Sequence, residues 1–191
     1  MIRPDISKSL IHLVRDKNGL STENIFDKII SEKTIVGSNE NIRGKFRCIC
    51  FSETPISAIG QIIAIKDTDF HYGSYGFMFS KKYLFDKGAR PVIYQPDSDY
   101  HLLPESLQYR HVRFDIDKTD WTWEREWRLR TDELNLDPES VTLIIPSRDK
   151  IEEYKEKAFK ANVTVSMATG GRLRSGKKQE WHFISLEDLG N

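Results

Sequence analysis

Residues 119–130 read TDWTWEREWRLR and hold three of the chain's four tryptophans within seven positions, braided with charge. Trp121, Trp123 and Trp127 fall at even spacing, and Glu124, Glu126, Arg128 and Arg130 fall one register over. A period of two is the signature of a β-strand, whose successive side chains point to opposite faces. A helix would scatter the tryptophans around its circumference. The spacing therefore predicts a strand over 119–130 inside a sheet. One face would carry Trp121, Trp123, Arg125, Trp127 and Leu129, with the tryptophans largely buried. The other would carry Thr122, Glu124, Glu126, Arg128 and Arg130.

The rest of the chain alternates short β-type runs with a few helical ones. SLIHLVR (9–15) reads as a first strand, followed by a helix capped by Ser21 or Thr22 with Ile25, Phe26, Ile29 and Ile30 at helical spacing. KFRCICFSETP (45–55) is β-type and closed by Pro55, and ISAIGQIIAIK forms a short helix. Further strands are expected in RPVIYQP, VTLIIPS (141–147), VTVSMA and EWHFISL. A charged helix, RDKIEEYKEKAFKAN, has Ile151, Tyr154 and Phe159 as its inward positions. Residues 97–118 give mixed signals. The pattern is α+β, and 191 residues with 38% hydrophobic content suit one domain over 1–191 with a sizeable core.

Lys+Arg and Asp+Glu balance at 29 each, which argues against a chain coated in basic charge for nucleic acid. The opening residues hold no apolar run long enough for a signal peptide or a membrane span. The only cysteines, Cys48 and Cys50, alternate on one expected strand. That spacing is poor for a disulfide and two ligands make no zinc site, so they read as reduced, buried thiols, implying a cytoplasmic location.

Several groups could carry chemistry. Glu124 and Glu126 would share a strand face about 7 Å apart, where like charges repel unless cations or a ligand sit opposite. Arg128 and Arg130 could neutralise them as an ordinary charge ladder; alternatively the pair binds hydroxyls and stabilises a developing positive charge. Ser52, Glu53 and Thr54 stand at a strand end, where side chains reach clefts or form turns. His12 and Arg15 lie on the first strand, His12 as a core histidine or as a ligand group. Tyr72 and Tyr75 alternate with glycines in HYGSYG and could stack a planar ring or form a tight hairpin. Arg172, Arg174, Lys177 and Lys178 cluster in GGRLRSGKK, able to clasp phosphates of nucleic acid or to solubilise a hairpin tip. No catalytic-triad order, no HExxH and no acidic or histidine metal set emerges.

ICFSETPIS, YGSYGFMFSKKYLFDKGARPVIY and WEREWRL followed by VTLIIPS resemble the abortive-phage-infection AbiGi-type proteins and related bacterial EWRL-type domains, over about residues 9–186. These families are distantly similar to ADP-ribosyltransferases. The resemblance implies a split, bent antiparallel β core that grips NAD as substrate. It implies a toxin or effector of anti-phage defence, acting on a protein or nucleic-acid acceptor, with an antitoxin as a further partner. By the same resemblance His12 or Arg15 would hold the adenosine-side ribose or a phosphate. Ser52 and Thr54 would support the nicotinamide ribose, and Tyr72 or Tyr75 would stack on nicotinamide. Glu124 and Glu126 would form the Glu-x-Glu pair, with Glu126 the essential carboxylate. His12, Ser52, Tyr75 and Glu126 should then share one cleft. The competing expectations are a non-catalytic binding or antitoxin-like module, with both glutamates locked to Arg128 and Arg130 and no cleft, and a nucleic-acid-binding protein built on residues 170–178.

Overall fold

Strand β1 (Ser9–Leu13) sits at the centre of a seven-stranded sheet. The structure, a computed structural model, describes residues 6–64, 72–157 and 181–189. After β1 come helix α1 (Thr22–Glu32), β2 (Thr34–Val36), β3 (Cys48–Ser52), helix α2 (Ile56–Ala64), β4 (Gly76–Ser80) and helix α3 (Lys81–Asp86). Then follow β5 (Arg90–Pro91), β6 (Ile93–Gln95), helix α4 (Glu105–Gln108), β7 (His111–Arg113) and β8 (Glu126–Arg130). β9 (Glu133–Asn135), β10 (Val141–Ile145), a helix over 148–157, β11 (His182–Ser185) and a 3-10 turn (Glu187–Leu189) end the described chain. The main sheet runs β11-β10-β4-β1-β3-β8-β5, with β2–β9 and β6–β7 as separate two-stranded pairs. The fold is thus α+β with few helices. The sheet is mixed rather than purely antiparallel, because β10 and β11 pair in parallel.

Alternation sorts the side chains between the two faces of this sheet. Leu10, Ile49, Phe51, Phe77, Phe79, Leu129, Leu143 and Ile145 bury one face against Phe26 of α1 and Tyr154 of the helix over 148–157. Ser21 caps α1 by accepting from the Asn24 N–H, and Lys33 closes it in the left-handed conformation. Gly76 is required at the β4–β1 contact, since a Cβ there would stand 2.8 Å from the His12 carbonyl oxygen. The opposite face carries two smaller clusters. Ile11, Ile59, Ile144 and Leu186 pack at one end, and Ile42, Cys48 and Tyr109 at the other. Between these clusters the sheet is left open.

Two expected strands are corrected. Only Glu126–Arg130 of the tryptophan segment is strand; Thr122–Glu124 is a turn of 3-10 helix and Arg125 lies in the left-handed region at φ 46°. The reason is local satisfaction of the backbone. Asp120 Oδ1 accepts from the Thr122 N–H at 2.8 Å, while the Thr54 and Ser52 hydroxyls donate to the carbonyls of Trp123 and Glu124 at 2.6 and 2.8 Å. Trp121 is consequently 43% exposed, whereas Trp123 and Trp127 are partly buried. RPVIYQP likewise splits at Val92, whose N–H donates to the Glu126 carbonyl, so β5 joins β8 and β6 joins β7. VTVSMA, Phe159 and the basic cluster Arg172, Arg174, Lys177 and Lys178 lie outside the described residues.

Candidate functional site

β1 and β3 are adjacent but share a single register pair, Ile11 with Ser52. By contrast, β1 pairs with β4, and β3 with β8, over five residues each. The pairing is narrowest at this point, and a cavity of about 680 Å³ opens over it on the face left uncovered. That volume lies within the ordinary range of small-molecule sites, about 300–1,000 Å³.

The register of β3 against β8 decides what faces it. Ser52 opposes Glu126 and Cys50 opposes Arg128, so all four share the cavity face, while Phe51, Trp127 and Leu129 point into the core. Arg128 Nε donates to Glu126 Oε1 at 2.7 Å and Nη2 donates to Oε2 at 3.3 Å. The remaining nitrogen, Nη1, donates to the carbonyls of Tyr109 and His111 at 2.8 and 3.0 Å. Both side chains are nearly closed to solvent, at 5% and 12%. A two-pronged guanidinium clamp of this kind fixes the carboxylate in orientation as well as position. Tyr94 adds a hydrogen bond from the Glu126 N–H to its hydroxyl at 2.9 Å. Arg130, expected to share in neutralising the glutamates, instead stacks on the Phe46 ring.

Glu124 reaches the same cavity from the 3-10 turn and not from a strand. Its Oε1 accepts from the Tyr72 hydroxyl at 2.8 Å, and no cation stands within ion-pair distance among the described residues. Burial raises its carboxyl to about 7; the Tyr72 hydrogen bond opposes this and the charge of Glu126 adds to it. The Tyr72 phenol is itself pushed up by burial and by Glu124, so it remains the donor. The two glutamates therefore differ. One is clamped by a guanidinium, and burial pushes the other's carboxyl up to about 7.

The remaining expected residues divide. His12 lines the cavity, and its Nδ1 lies 2.9 Å from the Cys50 carbonyl oxygen, linking β1 to β3. A carbonyl only accepts, so Nδ1 carries the proton and the neutral ring keeps Nε2 as an acceptor. Burial lowers its pKa and holds it neutral. Arg15 is exposed at the cavity wall, with Glu40 3.7 Å away. The Ser52 hydroxyl lines the cavity but donates to the turn that carries Glu124 and accepts from the Thr54 N–H. Thr54 is buried behind it with its hydroxyl spent on Trp123.

Tyr75 does not reach the cavity. It packs against Phe26 in the main core, and burial raises its phenol to about 12. The expected four-residue cleft is thus His12, Ser52 and Glu126 with Tyr72 in place of Tyr75.

Cys48 and Cys50 are both free and line the cavity. Burial lifts the Cys50 thiol well above its ordinary value and Cys48 to about 11, so neither is a ready thiolate. Glu53, which had no assigned place, pairs with Lys81 at 2.6 Å and accepts from Trp127 Nε1 at 2.7 Å, tying β3 to β8 and to α3. Tyr94, Arg113 and the carbonyls of Tyr109 and His111 were missed from the sequence. Tyr109, His111 and Arg113 come from residues 97–118, whose periodicity is weak, while Tyr94 lies in the expected strand RPVIYQP, where spacing gives no sign of its partner Glu126. Among the described residues no group of three His, Cys, Asp or Glu could hold a metal ion, and no helix is long and apolar enough to cross a membrane.

No family model, curated protein or solved structure matches this chain.

Proposed function

We propose that this chain is an NAD-dependent ADP-ribosyltransferase-like enzyme that transfers ADP-ribose to a macromolecular acceptor, protein or nucleic acid. The observation that carries the reading is the convergence of Glu126, Glu124, Ser52, Tyr72 and His12 on one cavity over the narrow pairing of β1 with β3. Cleavage of the bond between nicotinamide and ribose C1′ sends the bonding pair out with nicotinamide and leaves an oxocarbenium ion. A carboxylate held rigidly beside that cation stabilises it without reorganising during the reaction. Glu126 suits this, since Arg128 occupies each of its oxygens only once and leaves lone pairs to accept from ribose hydroxyls. As the acceptor's heteroatom bonds to C1′, its proton must leave. Glu124, titrating near neutrality in the same cavity, suits the base that takes it. Tyr72 would orient that carboxylate. The resemblance of ICFSETPIS, GARPVIY and WEREWRL to the abortive-infection families supports placing the activity in anti-phage defence, as a toxin or effector. The test is incubation with labelled NAD and separate pools of protein, DNA and RNA, scoring nicotinamide release and label transfer.

One observation favours a second reading. The clamp on Glu126 is also what a buried structural ion pair looks like, and it would serve a non-catalytic binding module or antitoxin-like partner on the same scaffold. In that case NAD would be neither bound nor cleaved.

A further inference from the structure

The charges lining the cavity are nearly all paired. Arg128 holds Glu126, Arg43 holds Asp97 at 2.7 Å, and Arg15 stands beside Glu40. The exceptions among the described residues are Glu124, whose partner is a phenol, and Arg113, which ends β7 exposed and without an ion pair. A cavity-wall guanidinium left in this way is a ready seat for an anion, and its planar fork suits phosphate. Trp121 also lines this cavity, with 43% of its surface open although aromatic rings of that size are ordinarily covered. The antiparallel bridge between Asp115 and Thr119 closes a hairpin, and Arg113 and Trp121 stand two residues beyond it on opposite legs. A cation and an indole from the two legs of this hairpin thus line the same cavity.

We propose that Arg113 and Trp121 form a nucleoside-phosphate subsite on this wall of the cavity, the guanidinium taking the phosphate and the indole stacking on the base. The assignment deepens the transferase reading and rests on it for what the rest of the cavity accepts. The ligand is either the adenosine half of NAD or a nucleotide of the acceptor, which share this chemistry.

Calorimetric titration of the full chain with ADP, adenosine and NAD tests it. ADP should bind the wild type. Arg113→Gln should weaken ADP roughly 10- to 100-fold and leave adenosine unchanged. Trp121→Leu should weaken both by a similar factor, because stacking does not need the phosphate. Both side chains are exposed, and melting curves verify that the variants fold. If NAD displaces ADP, the subsite takes the adenosine half; if NAD and ADP bind together, it takes the acceptor's nucleotide. Absence of ADP binding to the wild type, or unchanged ADP affinity in both variants, overturns the subsite. Absence of NAD cleavage with ADP binding intact removes the transferase reading and leaves the subsite standing.

Discussion

Replacing Glu124 by glutamine should make this protein more stable, and increasingly so as pH rises. The amide keeps the side chain's shape and a carbonyl oxygen for the Tyr72 hydroxyl, but it never ionises. In the wild type, burial raises the Glu124 carboxyl from 4.5 to about 7. A group whose folded-state pKa is raised favours the fold fully below its unfolded value and withdraws that support as pH climbs through the folded one. The window therefore runs from 4.5 to about 7. A displacement of that size corresponds to about 3 kcal/mol above pH 7, an upper figure because side-chain relaxation and water entry reduce it. For a chain of 191 residues this is roughly 6–12 °C in Tm. Melting curves of the wild type and Glu124→Gln from pH 4 to pH 8.5 should nearly coincide at the acid end and separate steadily above pH 5. Curves that stay parallel across the range, or a variant less stable at pH 8, would refute the isolated buried carboxyl.

Three further outcomes follow from the site. Arg128→Met should cost about 3–5 kcal/mol in denaturant unfolding, since it leaves the buried Glu126 carboxylate unpaired and takes the donor from the Tyr109 and His111 carbonyls. Thr54→Ala should cost about 1–3 kcal/mol, because the Trp123 carbonyl loses its donor and the turn at Arg125 its tether; chemical denaturation at fixed pH reads this. If Glu124 acts as a base, the rate of label transfer should climb with pH through about 7 and flatten above it, and Glu124→Gln should abolish that rise in a pH–rate profile.

Where periodicity and local chemistry decide the structure, the sequence was readable. β1, the Ser21 cap of α1 and the buried β10 all lie where alternation, helical spacing and a capping hydroxyl place them. Cys48 and Cys50 share one face of β3, as their spacing suggested, with Cys48 buried and Cys50 partly so. What could not be read depends on partners far away in the chain. The tryptophan segment breaks at Arg125 because hydroxyls 72 and 69 residues earlier take the carbonyls that would have continued the ladder. Tyr72 and Tyr75 look equivalent in HYGSYG, yet one faces the cavity and the other Phe26, according to where β4 begins. Glu124 and Glu126 do meet in one cavity, but only one of them stands on the strand that was expected to hold both. Their contrast arises from Arg128 clamping one, while burial with only a phenol as partner raises the other. Spacing alone assigned both glutamates the same neighbours.

The central claim is that Glu126 stabilises a cation formed from NAD. Nicotinamide release from labelled NAD, with transfer scored on separate protein, DNA and RNA pools, tests it on the wild type, Glu126→Asp and Glu126→Gln together. Both variants disturb the Arg128 clamp, so the comparison is made at a temperature where melting curves show all three folded. The wild type should release nicotinamide and label one pool. Glu126→Gln should react roughly a hundred- to a thousandfold more slowly, with NAD still bound. Glu126→Asp, which keeps the charge but draws it back by one methylene, should fall between them. A wild type that releases no nicotinamide, or a folded Glu126→Gln that releases it at the wild-type rate, would contradict the claim.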